Sequence, residues 1–387
     1  MAPPEAIVVG AGIGGLACAL GLQRAGWSVR VCEKSAVLGE VGAGLTLSPN
    51  AVRALQWLGC FERVQARLSL PPHQIMEDPL SGAEIGRLTR GPRAVEQYGA
   101  PYAFVHRADL HAALVEAVRE YDAAALSPGA ECIAVREQRR RAVLEFADGS
   151  DAEADLVVGC DGIRSRVRTA LFGDEAPRYS GYVAWRAVVP YGSLPTAALP
   201  VGSAVVFGTG RCFVRYRLEP RRLLNFVAFA QRAQWVEESW TVPTAPTELR
   251  ALFADWHAGV VETLAAVPDG ALYCWGLFDR EPLDTYARGT VALLGDAAHP
   301  MLPFLGQGAA LALEDAVVLA RLLTRPSDVP AALVRYDALR RPRGSAAVLE
   351  SRAAGSRMHG DGGDPRTRNE ETLDYFRYDA GAVDLDL

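Results

Sequence analysis

The chain has 387 residues, half of them apolar. That is enough for a sizeable core and long for one domain of ~100–200 residues, so two domains are expected. Forty basic against 46 acidic residues give a net charge of −6, which argues against nucleic acid or an anionic membrane as the main partner. Seven cysteines without a C-x-x-C pair and six histidines without an H-E-x-x-H spacing suggest neither a disulfide framework nor a metal site, and fit a reducing cytoplasm.

The first element is carried by "AIVVGAGIGGLACALGLQRAGWSVRVCEKS". Ile7-Val8-Val9 reads as a short buried strand, and Gly10 to Gly15 satisfy G-x-G-x-x-G. A helix with Leu16, Leu20 and Leu22 follows to Gly26, then a second strand, Val29 to Cys32. Glu33 closes that strand 23 positions after Gly10. Gly10 permits the tight turn, Gly12 lets the backbone approach a pyrophosphate, and Gly15 allows close helix–strand packing. The helix N-terminus offers N–H donors to phosphate, and Glu33 can accept from ribose hydroxyls. The motif does not choose between NAD and FAD. Ala6 to Leu22 is uncharged, but its five glycines and the lack of a preceding Lys or Arg argue against a membrane span or signal segment.

Further along, Gly42-Ala43-Gly44 forms a flexible turn. Ser48-Pro49-Asn50 breaks a strand and starts a helix that Asn50 would cap. "HRADLHAALVEAV" (106–118) predicts a helix with Asp109 as its N-cap, preceded by Arg107. "DLVVGCDGIRSRVR" (155–168) is another buried strand, ending in Cys160-Asp161-Gly162. From about 178 to 285, "GYVAWRAVVP", "SAVVFG", "CFVRYRL", "RLLNFVAFA" and "ALYCWGL" predict a mostly antiparallel sheet. Thr290 to Leu294 is a buried strand that ends in Gly295-Asp296. It leads through "AAHPMLPFLGQ" to a helix opening at Gly308-Ala309. Two distant strands thus end in a small residue plus Asp, and ligands bind at strand carboxyl ends in open α/β sheets. After 345 an Arg-, Gly- and Asp-rich loop is expected, then "TLDYFRYDAGAV".

These residues together resemble the single-component FAD-dependent aromatic hydroxylases of the para-hydroxybenzoate hydroxylase fold. The resemblance rests on G-x-G-x-x-G at 10–15, "DG" at 161–162, "LFDREPL" at 277–283, "GD" at 295–296 followed by "HPMLP", and the late "YFRYDAGAV". The salicylate, 3-hydroxybenzoate and 6-hydroxynicotinate hydroxylases look most similar. The implied fold is α/β, a Rossmann-type FAD-binding domain with an inserted, mostly antiparallel β substrate domain and C-terminal helices. The implied division is 1–70, 101–177 and 286–345 for FAD, 71–100 and 178–285 for substrate, and 346–387 as a C-terminal segment.

The resemblance makes Gly10, Gly12, Gly15, Glu33, Lys34, Gly44, Leu45, Arg107, Cys132, Asp161, Asp296, Gly306, Gln307, Gly308 and Ala309 cofactor contacts. Cys132 would meet the adenine through its backbone. The Gly306–Ala309 turn would pass beside the flavin, with the helix N-terminus aimed at the N1–C2=O edge, where reduced flavin is anionic. Cys212, Tyr216, Pro303, Phe304 and Leu305 would line the substrate chamber. The implied cycle has NADH or NADPH reduce FAD, and O₂ form a C4a-hydroperoxide that hydroxylates an electron-rich ring in a dry chamber. Tyr216 and His299 are the catalytic candidates. Packing is an equal reading for Tyr216, and a structural bridge is the favoured one for His299. Cys212 stands where the similar subgroup often carries His, and Phe304 where the 6-hydroxynicotinate enzymes carry a second His; the apolar chamber suggests a substrate larger and less charged than salicylate. Competing classes are an FAD oxidase or dehydrogenase, an alkene epoxidase, and a flavin-binding protein without oxygen chemistry. An oxidase needs no nicotinamide, and a binding-only protein shows no stimulated reduction. The expected partners are a small aromatic substrate and O₂, in a monomer or homodimer, with no nucleic acid and no membrane.

Overall fold

A computed structural model describes residues 2–39, 42–138, 141–235, 242–324, 328–358 and 375–386. The apolar run before the glycine turn forms strand Glu5–Val9, with every residue after Glu5 buried. It lies in a six-stranded sheet of order Ala287–Arg288, Val291–Leu293, Leu156–Gly159, Glu5–Val9, Ser28–Glu33 and Leu126–Pro128. All pairings are parallel except the antiparallel edge strand Ala287–Arg288. The register places the site. Val9 is opposite both Gly159 and Cys32, and Gly159 is opposite Leu293. The strands carrying Gly10, Glu33, Asp161 and Asp296 therefore finish at one edge, although those residues are up to 286 positions apart.

The second sheet has eight strands, in the order Val242–Pro243, Tyr273–Asp279, Arg178–Pro190, Leu223–Gln231, Arg211–Leu218, Ser203–Gly208, His73–Glu77 and Glu84–Thr89. It is antiparallel apart from the pairing of His73–Glu77 with Ser203–Gly208. Strand alternation sorts its residues. Val183, Trp185, Ala187, Phe213 and Phe226 pack against Leu249, Phe253, Val260 and Leu264, in and after helices Pro246–Leu252 and Ala258–Ala265. Ala184, Cys212, Tyr216 and Phe229 face the other way, against Leu302, Phe304 and Leu305. No helix among the described residues is long and apolar enough to cross a membrane.

Three expectations are corrected. Asn50 does not cap its helix: Ser48 holds the cap position of Pro49–Trp57, and the buried Asn50 amide donates to Gln307 and Glu314. The helix read from 106 runs Arg107–Tyr121 with His106 at its cap. Asp109 lies inside the first turn, bridged by Arg221 and Arg67. No break occurs at 345, because helix Val329–Met358 runs through it. The expected loop falls largely on 359–374, outside the described residues. The tail beyond is pinned by Arg53, which donates to Phe376 and Tyr378 carbonyls, and Arg321, which donates to those of Ala380 and Val383.

Candidate active site

A cavity of about 990 Å³ opens where the strand ends of the parallel sheet meet the second sheet. Gly10 takes φ +103°, and a β-carbon there would lie 2.5 Å from the Cys160 carbonyl oxygen. Gly12 faces open space, with nothing within 4 Å of where its β-carbon would be. Both line the cavity at the N-terminus of helix Ile13–Arg24, so backbone N–H groups border space that an anion can enter. Gly15 does not line it. Its missing β-carbon lets the helix pack against the Gly10 carbonyl, which is the packing role read from the motif.

Glu33 lines the cavity beside Lys34 and Cys132. Its carboxylate accepts from Ala11 N–H at 2.8 Å and from Ser35 N–H at 2.9 Å, so it braces the glycine turn and keeps acceptor capacity over. Burial pushes the Cys132 thiol up to about 12. Asp161 accepts from Ser165 Oγ at 2.5 Å and Arg166 N at 2.7 Å, anchoring the following helix while it borders the cavity. Asp296 opens into the cavity, yet enough protein surrounds it that burial raises its carboxyl above the usual range, against the pull of His299 and Arg107.

The stretch after Asp296 is shaped by its glycines. Gly306 is left-handed at φ +64°, and the chain then enters helix Gly308–Leu322. Gly308, Ala309 and Ala312 line the cavity, and a β-carbon on Gly308 would meet only Asp296 Oδ1, at 4.0 Å. The small side chains thus leave this helix N-terminus uncovered. Gln307 is different. Its amide turns inward, donating to Ser48 Oγ at 3.1 Å and accepting from Asn50 at 3.0 Å, so its side chain does not reach the cavity.

For His299 the geometry agrees with the favoured structural reading and removes the catalytic one. This histidine is 1% exposed, its Nε2 lies 2.6 Å from Asp315 Oδ2, and it does not line the cavity. Asp315 also accepts from Arg340 at 2.6 Å, and Arg340 and Arg343 both bind Glu314. This buried network supports the helix from below and leaves His299 no path to a substrate. Cys212 also stays out of the cavity lining, packed among Phe229, Phe304 and their neighbours.

Gly44, Leu45, Arg107, Pro303, Phe304 and Leu305 line the cavity as expected residues. Gly44 N–H donates to Asn225 Oδ1 at 2.7 Å, tying the turn to the second sheet, and a β-carbon there would strike Tyr216. Tyr216 stacks on Phe104 at 4.0 Å and 10° between planes. Burial holds its phenol well above its ordinary pKa. That direction favours the neutral phenol, which can donate or accept a hydrogen bond.

The second sheet lines the cavity with Gln74, Arg186, Val205, Val214, Tyr216, Val227, Phe229 and Trp275, of which only Arg186 is charged. Its guanidinium lies 4.8 Å from the Trp275 ring centroid. The expectation of an apolar chamber missed this cation. Its signal was present in "GYVAWRAVVP", one arginine inside an apolar strand. Gln74, Phe104, Asn225 and Trp275 were also missed, because only strand pairing brings them together.

A dinucleotide with a flat ring fits this cavity. Open glycines and a helix N-terminus suit a pyrophosphate, Glu33 suits a ribose, and a second, uncovered helix N-terminus suits the ring edge. Comparison with known proteins agrees. The family model for the FAD binding domain matches residues 4–351. A 6-hydroxynicotinate 3-monooxygenase of Bordetella bronchiseptica is 38% identical over 347 residues, 88% of this chain and 89% of that protein. A 3-amino-4-hydroxybenzoate 2-monooxygenase of Streptomyces platensis is 38% identical over 376 residues, 95% and 91% respectively. The substrate complex of a salicylate hydroxylase superposes with a TM-score of 0.82 at 30% identity, covering 98% of this chain and 97% of its own.

Proposed function

The chain belongs to the FAD-binding-domain family of aromatic hydroxylases, and from that premise we propose that it hydroxylates an aromatic or heteroaromatic acid whose carboxylate is held by Arg186. The enzyme is an FAD-dependent monooxygenase that uses NAD(P)H and O₂. Bound FAD supplies the acceptor for two electrons from the nicotinamide and the centre at which O₂ is activated.

The residues of the chain do the rest. The Gly10–Gly12 turn and the N-terminus of Ile13–Arg24 would hold the pyrophosphate, Glu33 a ribose, and the backbone at Gly308-Ala309 the flat ring. A helix N-terminus stabilises negative charge gained by that ring on reduction, because its N–H groups are oriented in advance. Phe229, Phe304, Leu302 and Trp275 exclude water from the reacting face. Tyr216 lines the same cavity, and its phenol would hydrogen-bond the ring oxygen that activates the substrate.

Arg186 carries the finer reading. Among the described residues it is the one charge that the second sheet places on the cavity, and a guanidinium pairs with a carboxylate in bidentate fashion. The substrates named for the relatives, 6-hydroxynicotinate and 3-amino-4-hydroxybenzoate, are both ring carboxylates, which supports it. The test is a panel of such acids and their neutral analogues, scored by stimulated NADH oxidation in wild type and Arg186→Met. Loss of hydrogen bonds to a charged group, about 1.5–3 kcal/mol, should raise KM for the acid roughly tenfold to a hundredfold. An unchanged KM would remove Arg186 from the substrate site.

A further inference from the structure

Gln74 sits on strand His73–Glu77, opposite Ser203, which in turn is opposite Tyr216. Gln74 and Tyr216 therefore point from the same face of the sheet, and both line the cavity. Gln74 is 8% exposed, so its amide must be satisfied by the protein or by a ligand. Its Oε1 accepts from Arg90 at 3.2 Å. That contact fixes which way round the amide lies, because a guanidinium has five donors and no acceptor. The Nε2 end has no hydrogen-bond partner among the described residues. Arg90 is itself locked: it is 4% exposed, its guanidinium lies 4.3 Å from the Tyr102 ring centroid, and its backbone N–H donates to the Pro72 carbonyl.

We propose that Gln74 is a specificity-determining residue that donates Nε2–H to an acceptor oxygen of the substrate, and that Arg90 is the positioning residue that turns the amide to do so. The proposal rests on the reading of the substrate as an aromatic acid. Among the described residues of the second sheet, the chamber then presents the Gln74 amide N–H and the Arg186 guanidinium as donors that cannot accept, beside the Tyr216 phenol, which can donate as well. Such a set selects a ring that carries acceptor oxygens, a carboxylate together with a ring oxygen. It rejects a ring that offers an N–H in their place, since two donors would face each other.

The test compares holoenzymes of wild type, Gln74→Leu, Gln74→Glu and Arg90→Met by perturbation of the flavin absorbance on titration. The ligands are 3-hydroxybenzoate and 6-hydroxynicotinate, with 3-aminophenol as the donor-bearing counterpart. An unaltered FAD content and unligated flavin spectrum confirm that each variant is folded. Gln74→Leu should weaken acid binding about tenfold or more and leave 3-aminophenol within about twofold, the loss of one hydrogen bond to a charged acceptor. Gln74→Glu should weaken the acids further than Leu, because a carboxylate would pair with Arg90 and repel an anion. Arg90→Met should give part of the Leu effect, since the amide is then free to turn. Acid binding by Gln74→Glu equal to wild type would overturn the proposal alone, as would an unchanged acid-to-aminophenol ratio in Gln74→Leu. A wild type that binds no aromatic acid would overturn it together with the reading on which it rests.

Discussion

Glu33 shows how one side chain can serve both fold and ligand. It braces the glycine turn through Ala11 N–H and has acceptor capacity left for a ribose. Glu33→Ala should weaken FAD binding roughly tenfold or more, from the loss of charge-assisted hydrogen bonds of about 1.5–3 kcal/mol, with an unchanged far-ultraviolet circular dichroism spectrum. Gly308 is a cleaner case, because its φ is not left-handed and a side chain there carries no backbone strain. Gly308→Val should leave stability within about 1 kcal/mol while its branches cover the helix N-terminus. The expected cost is ~10²–10³ in flavin reduction or coupled oxygen transfer, the size lost with one preorganised donor. Stopped-flow reduction and product yield measure it, and wild-type values for both would take the turn away from the ring. Tyr216 makes a prediction about pH. Burial raises its phenol above the ordinary value of ~10, so the neutral form persists at higher pH than in a free tyrosine. Tyr216→Phe should therefore lower kcat without removing any limb of the pH–rate profile below pH 10, and loss of such a limb would identify Tyr216 as a titrating base.

The helix Gly308–Leu322 is held from below by charges. Arg340 and Glu314 are fully buried, as are Asp315 and, nearly so, His299. Breaking such a cluster leaves uncompensated charge, so Arg340→Met should cost about 3–5 kcal/mol in denaturant unfolding, far more than a surface arginine. Asp315 is buried, which alone would raise its carboxyl, but His299 and Arg340 hold it down at about 2. A carboxyl depressed below its unfolded value of ~3.9 stabilises the fold above that pH, and the stabilisation is lost as pH falls towards about 2. Asp315→Asn should flatten the fall of stability between pH 4 and pH 2, and an unaltered slope would show that Asp315 is not linked to folding. The network also explains what sequence reading misassigned. "HP" after "GDAA" reads as a residue near the cofactor, and Gln307 as a contact, because both lie within a few positions of residues that do line the cavity. Which way each side chain turns depends on Asp315, Arg340, Ser48 and Asn50, partners up to 259 positions away, and no local pattern carries that.

Across the whole molecule, the half of the cavity built on the parallel sheet was the legible half. Gly10, Glu33, Asp161 and Asp296 each follow a short apolar strand, and parallel pairing in register brings all four strand ends to one edge. The substrate half was not legible, because it depends on which face of an eight-stranded sheet each residue takes and on the order of strands far apart in sequence. His73–Glu77 joins Ser203–Gly208 across more than a hundred residues, and that crossing alone puts Gln74 in the chamber. The cavity is thus shared: one sheet supplies the strand-end edge proposed for FAD, and the other supplies Arg186, Gln74 and Tyr216. Function requires that the two halves act together in coupled hydroxylation of an aromatic acid. The most direct measurement is the stoichiometry of NAD(P)H oxidised, O₂ consumed and hydroxylated ring formed by the purified holoenzyme with the best acid of the panel. The expected ratio is one to one to one, with slow nicotinamide oxidation when the acid is absent. Oxygen uptake that needs no nicotinamide, or nicotinamide oxidation that no aromatic acid stimulates, would contradict it.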